Sequence, residues 1–443
     1  MAERPSELED KVRQIIGEHD PAELLRKREE LLTEPWIAAL AGDVQGLRRF
    51  IETDPKAATD PGGPKNWPPL LYVCFSNFNG TAARQQGFAD CAQMLLEHGA
   101  DPDSHFYEPA FPTAPQAALY GAIGVNNNPL LADVLLRHGA NTQDGESIYH
   151  AAQHAHIESL EVLKKHGADF SSAQQPWGNT PLYFLFGHRP SEKQWPIALE
   201  GIRWLLEVGE ADPNVTSTQY EEAPLHLAAR RHAGAVVELL LEHGAHADQP
   251  TRDGLTPYAL AARHGNTEAM DALRKHGGNM PLSPADELLA ACALGDELHA
   301  RGILAGDSEL LSRLGPRDLA ILAEHAAEGN LPAVTALCAI GFPLDARGEA
   351  GATALHHAAW RGHAAIAQLL AEGGAPLDVR DEEYKATPLD WACHGSLFCQ
   401  SESQVDYPGV VEALLQAGAP VPEEDEDWGS EEVKELLRAK RDA

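Results

Sequence analysis

From Glu222 to Leu282 the apolar and polar positions run twice through one pattern. Ala223-Pro224-Leu225-His226-Leu227-Ala228-Ala229 opens the first pass, Val236-Val237-Glu238-Leu239-Leu240-Leu241 supplies a second apolar run, and Glu242-His243-Gly244-Ala245 closes it. The second pass reads Thr256-Pro257-Tyr258-Ala259-Leu260-Ala261-Ala262 and closes at Lys275-His276-Gly277-Gly278, so Gly277 lies 33 residues after Gly244. The cleanest copy comes later, where Thr353-Ala354-Leu355-His356-His357-Ala358-Ala359 leads through Gly362-His363 to Gly374-Ala375.

Each copy predicts two short antiparallel helices. A Thr-Pro start suits a helix N-terminus, because the hydroxyl caps free amides and proline at the first helical position gives up no needed donor. Paired alanines let a neighbouring helix come close, and the Val/Leu run gives the second helix its apolar face. The glycine that follows suits a left-handed C-cap. One such pair cannot bury its apolar face alone, so copies must stack on one another.

The period and wording of these copies resemble the ankyrin repeat, whose signature has the form T-P-L-H-x-A. The last units look like those of large stand-alone bacterial ankyrin proteins. The resemblance implies an all-α fold, an ankyrin-repeat α-solenoid of about eleven helix pairs with short hairpin fingers and helical caps. It covers nearly the whole chain. Residues 1–33 are expected to be N-terminal capping helices, 34–282 a first segment of repeats, 283–422 a second, and 423–443 an acidic linker with a C-terminal helix. The division at Ser283 rests on Leu288-Leu289-Ala290-Ala291-Cys292-Ala293-Leu294-Gly295-Asp296, which echoes the Gly42-Asp43 turn of the first repeat. Ser430 is expected to cap the last helix, with Val433, Leu436 and Leu437 closing the far end. Tyr120, Tyr149 and Tyr183 stand where the motif has histidine, which should alter the signature hydrogen bond there without loss of the fold. Insertions after Ser76, Gly187 and Gly395 fall between the two helices of their repeats.

Charge narrows the range of partners. Thirty-four basic against 67 acidic residues leave a formal charge of −33, which repels phosphate backbones and acidic lipid surfaces and favours basic partners. No nucleic acid and no membrane are therefore expected as partners, and no apolar run approaches a membrane span. Six cysteines without a C-x-x-C pair point to a reducing, cytoplasmic setting.

Candidate chemistry is thin. His150, His154 and His156 could suggest a metal, but the repeat places His150 inside a first helix and His156 at a turn. Cys393, His394 and Cys399 lack the second ligand pair of a structural zinc site. Neither a phosphate loop ending in Gly-Lys-Ser/Thr nor a G-x-S-x-G turn is present. No catalytic residue, cofactor or metal is expected, and the chain is read as a non-enzyme.

Aromatic residues give the sharper lead. In the architecture that the resemblance implies, fingers and first helices line a concave face, where aromatic anchors concentrate binding energy. Phe106, Tyr107 and Phe111 fall on one expected finger, Trp177 and Tyr220 on later ones, and Trp360 near the end of a first helix. Asp381, Glu382 and Tyr384 form an acidic fingertip that could steer a basic partner, while Trp391 should belong to the core. The expected function is a non-enzymatic protein-protein interaction scaffold that binds an unknown, basic protein partner on this face. The alternatives are an enzyme or metal-dependent module using the inter-helix insertions, and a self-assembling structural scaffold.

Overall fold

The computed structural model describes residues 34–79, 82–109, 111–174, 176–187, 194–218, 221–231, 233–278, 281–399, 405–421 and 429–442. The capping helices expected over 1–33, the acidic run 423–427 and parts of all three insertions lie outside them. The described chain is mostly helical and divides into two compact units, Met1–Leu227 with Leu240–His246, and Ala228–Leu239 with Ala247–Ala443.

Helix starts follow the sequence chemistry. Thr256 accepts the Ala259 amide at 3.2 Å ahead of the Pro257–Arg263 helix, and Thr387 does the same for Asp390 at 3.3 Å in a reciprocal capping box before Pro388–Phe398. Both place proline at the first helical position, where no donor is lost. Helix ends follow it as well. Gly244, Gly277 and Gly374 adopt φ of 88°, 87° and 88° and end equivalent second helices. In each, the amide after the glycine reaches back into the helix, as Ala245 does to the Leu240 carbonyl at 3.0 Å and Ala375 to Leu370 at 3.0 Å.

Packing repeats within each unit. In the first, Pro35–Ala41 lies on Pro69–Cys74, whereas Val44–Thr53 lies on Ala82–Glu97, which packs in turn on Pro129–Arg137. First helices thus meet first helices and second meet second. In the second unit Ile321–Glu328, Ala354–Trp360 and Pro388–Phe398 form one row, and Leu331–Ala339, Ala364–Glu372 and Tyr407–Gln416 another. Leu322, Leu337, Leu355, Leu370 and Leu414 are fully buried between the rows. The last helix, Glu431–Arg441, packs on Tyr407–Gln416, is capped by Ser430 and buries Val433 and Leu437.

Side chains at the inter-helix turns tie neighbouring copies together. Asn266 caps its own helix through Ala269 N and donates to the Ala229 carbonyl at 3.0 Å. Asn330 repeats this, capping through Ala333 N and reaching the Ala293 carbonyl at 3.4 Å. One amide side chain thereby satisfies an orphan amide of one helix and an orphan carbonyl of the previous copy. Ser283 falls inside the second unit, where Pro257–Arg263 packs directly on Pro284–Ala293.

Two helices approach closely at Gly201 in Trp195–Glu207. A Cβ built there would sit 1.8 Å from the Ala152 carbonyl oxygen of Ser147–Gln153, so any side chain must push two helices apart. Gly201→Ala is expected to destabilise the protein by about 1–3 kcal/mol, as overpacking does. Thermal denaturation checks it, and an unchanged midpoint would contradict the close approach.

Candidate protein-docking surface

In the first unit the finger is a two-stranded ribbon. His105–Glu108 pairs antiparallel with Phe111–Ala117 in the register His105 to Ala117, Phe106 to Gln116 and Tyr107 to Pro115. Successive side chains on a strand point to opposite faces, and this separates Phe106 from Tyr107. Phe106 is half-buried, its ring 4.3 Å from Trp67 and 5.0 Å from Phe75, so it braces the finger rather than standing free. Tyr107 is 54 % exposed. Phe111 opens the second strand. Trp177 is 37 % exposed, and its indole N–H donates to Glu146 Oε1 at 2.9 Å. Tyr220 lies outside the described residues.

The second unit gathers its aromatics into one strip. Tyr384 meets Trp391 edge-on at 6.3 Å, Trp391 meets Trp360 at 5.8 Å, Trp360 meets His394 at 6.4 Å, and His394 meets Phe398 at 5.6 Å. Tyr384 and Phe398 at the two ends are 68 % and 70 % exposed, and Leu397 beside Phe398 is exposed too. Trp391, expected in the core, packs half-buried against it and forms the middle of this strip. Sequence reading weighed His394 only as a metal ligand, and it missed Phe398 because the insertion was taken to begin after Gly395, whereas the first helix continues to Phe398. The available signal was the i, i+4 spacing of the two rings, which puts them on one helical face.

Asp381 is not a steering charge. It is 1 % exposed, and its carboxylate accepts from the amides of Tyr384 at 2.6 Å, Glu383 at 2.9 Å and Ala386 at 2.9 Å, and from the Trp391 indole at 3.0 Å. Burial works against its charge, but these bonds hold the carboxyl below the usual aspartate range. Asp381 therefore builds the finger and sets the orientation of Trp391. Glu382 and Glu383 do face outward, yet they share the fingertip with exposed Arg380 and Lys385. The tip carries mixed charge instead of an acidic patch.

The motif histidine works where it is present. His356 takes the Thr353 amide on Nδ1 at 3.1 Å, and its Nε2 donates to the Ala386 carbonyl of the next finger at 3.2 Å. Burial lowers its pKa and keeps it neutral for this double role. At Tyr149 the phenol is buried, and burial with the nearby Glu146 carboxylate raises its pKa.

The histidines and cysteines singled out in the sequence do not converge. Among the described residues, one group could hold a metal ion, His264, His325 and Glu328, and none of the sequence candidates belongs to it. Burial lowers the His325 pKa to about 4. For His264 burial pulls down, but the Glu324 carboxylate at 3.0 Å and the negative charge of nearby Glu328 prevail and raise it. No disulfide joins any of the six cysteines, and burial pushes the Cys292 thiol up to about 12.

Residues 197–282 and 321–425 match the family model described as ankyrin repeats in three copies. The chain is 27% identical over 263 residues to Ankyrin repeat protein nuc-2 of Neurospora crassa, covering 58% of this chain and 20% of that protein. It is 33% identical over 138 residues to human Ankyrin repeat and SOCS box protein 6, covering 29% of this chain and 31% of that one. The chain therefore spans less than a third of either relative, and both are eukaryotic. The crystal structure of the human ASB11 ankyrin repeat domain aligns with 56% of this chain and 99% of its own at a TM-score of 0.40 and 22% identity.

Proposed function

We propose, from the premise that this chain is an ankyrin-repeat protein, that it is a non-enzymatic scaffold whose second unit docks a protein partner on the Tyr384–Trp391–Trp360–His394–Phe398 strip. Ankyrin repeats are protein-interaction modules, and the observation that carries the assignment is this run of five touching rings with exposed ends. Aromatic anchors supply large contact area at low conformational cost and dominate interface energetics. Preformed fingers lose little entropy on docking. In the first unit Tyr107 and Trp177 offer a second, smaller set of contacts.

The partner is basic in this reading. With the fingertip of mixed charge, the attraction comes from the net −33 of the whole chain, which raises the encounter rate more than the final affinity. The solenoid of about eleven helix pairs, the cytoplasmic setting and the stand-alone bacterial type belong to the same reading and rest on the repeat wording and the scattered thiols.

The test is capture of a partner from the native cell by the full chain, followed by binding measurements with Trp360→Ala, Tyr384→Ala and Phe398→Ser. At least one is expected to weaken binding by about 2 kcal/mol, some 30-fold, with circular dichroism unchanged. Association should slow steeply as salt rises. Binding untouched by all three substitutions would refute the chosen face, and a salt-independent rate would refute the basic partner.

A further inference from the structure

We propose that His264, His325 and Glu328 form a binding site for a transition-metal dication of the zinc type, a site that goes beyond the docking function and does not depend on it. His325 and Glu328 stand three apart on Ile321–Glu328 and share a face. His264 follows directly on the neighbouring Pro257–Arg263 helix. One ligand atom from each lies within 4.8 Å of the other two, and His264 Nδ1 is 3.7 Å from Glu328 Oε2.

Proton placement decides what these rings can do. The His325 side chain is fully buried, and its Nε2 lies 3.2 Å from the Arg263 carbonyl. A carbonyl only accepts, so Nε2 carries the proton and Nδ1 of the neutral ring holds a lone pair. That Nδ1 is buried and has no hydrogen-bond partner among the described residues. His264 repeats the arrangement. Its side chain is 2 % exposed, Nε2 meets Glu324 Oε2 at 3.0 Å, and Nδ1 is buried without a hydrogen-bond partner. Two buried nitrogens left unsatisfied at one place are costly, and a ring nitrogen of each histidine lies within 4.8 Å of a Glu328 carboxylate oxygen. An outer acceptor on the far nitrogen of each ligating imidazole is the usual support of a metal site, and Glu324 and the Arg263 carbonyl fill that position.

Two imidazoles with a carboxylate suit zinc and its neighbours better than magnesium or calcium, which prefer oxygen alone. Bonds of about 2.0–2.2 Å would draw the three donor atoms to roughly 3.3 Å apart. Glu328, at the last turn of its helix, is the partly exposed member that closes on the ion, releasing Arg231 at 3.6 Å. The competing arrangement is an imidazolium at His264 shared by Glu324 and Glu328 with no metal at all.

The experiment titrates the full chain, stripped with a chelator, with Zn²⁺ by calorimetry, alongside Glu328→Gln, His264→Gln and Glu324→Gln variants whose circular dichroism is checked. One zinc per chain is expected in the parent. Affinity should fall at least about 10-fold on losing Glu328 or His264, and by about 10–100-fold in the outer Glu324→Gln variant. X-ray absorption of the zinc-loaded chain should show nitrogen and oxygen donors without sulfur. Absence of stoichiometric binding, binding indifferent to all three substitutions, or a sulfur ligand would each overturn the site.

Discussion

Arg263→Met is expected to remove about 3–5 kcal/mol of stability, the usual cost of breaking a buried ion pair from one side. The guanidinium donates through Nε to Asp286 Oδ1 at 2.5 Å and through Nη1 to Asp318 Oδ1 at 2.7 Å, with Arg263 and Asp286 side chains 7 % and 8 % exposed. Methionine fills much of the volume but leaves two carboxylates without their counter-ion. Asp286 cannot simply turn to water, because its other oxygen accepts from the Ser283 amide and hydroxyl in the capping box of Pro284–Ala293. The loss would therefore loosen the start of that helix as well. Urea denaturation gives the number, and adding Asp318→Asn to the variant should recover part of it by removing one stranded charge. A loss under about 1 kcal/mol would mean that the network is not structural.

Asp381→Ala is expected to cost about 3 kcal/mol or more, because one buried carboxylate answers four donors and each bond to a charged acceptor contributes about 1.5–3 kcal/mol. Its second effect is local. Without Asp381 the Trp391 indole loses its acceptor and the Tyr384 amide its anchor, so the middle of the aromatic strip should lose its fixed orientation. Denaturation measures the first effect, and quenching of tryptophan fluorescence by an added neutral quencher measures the second. The same group predicts a pH dependence. A folded-state pKa held below the ordinary aspartate value near 3.9 stabilises the fold fully above that value, and the contribution is lost as pH falls through the lowered folded value. Asp381→Asn should remove this acid-side dependence, and an unchanged acid limb would contradict the assignment.

Most of the repeat unit was readable from residue types alone. Thr256 and Thr387 as caps, Gly244, Gly277 and Gly374 as helix ends, and Ser430 before the last helix are local decisions, fixed by hydroxyl chemistry and by the freedom of glycine at positive φ. The aromatic residues were readable as candidates but not as a surface. Phe106 and Tyr107 differ by one position and by opposite fates, since the register of a hairpin decides which face each ring takes. Asp381 looked like a solvated charge because acidic triplets usually are, and only the closure of the loop around its carboxylate made it a core acceptor.

The sequence by itself determined the helix starts and stops, the apolar face of each helix and therefore the need for copies to stack, because these depend on neighbours within one turn or one repeat. Only the tertiary structure decided that five rings from two first helices and a finger touch, and that His264 meets His325 and Glu328 across more than sixty positions of chain. Such meetings depend on the rotation and separation of packed helices, which side-chain volumes far apart in the sequence set together.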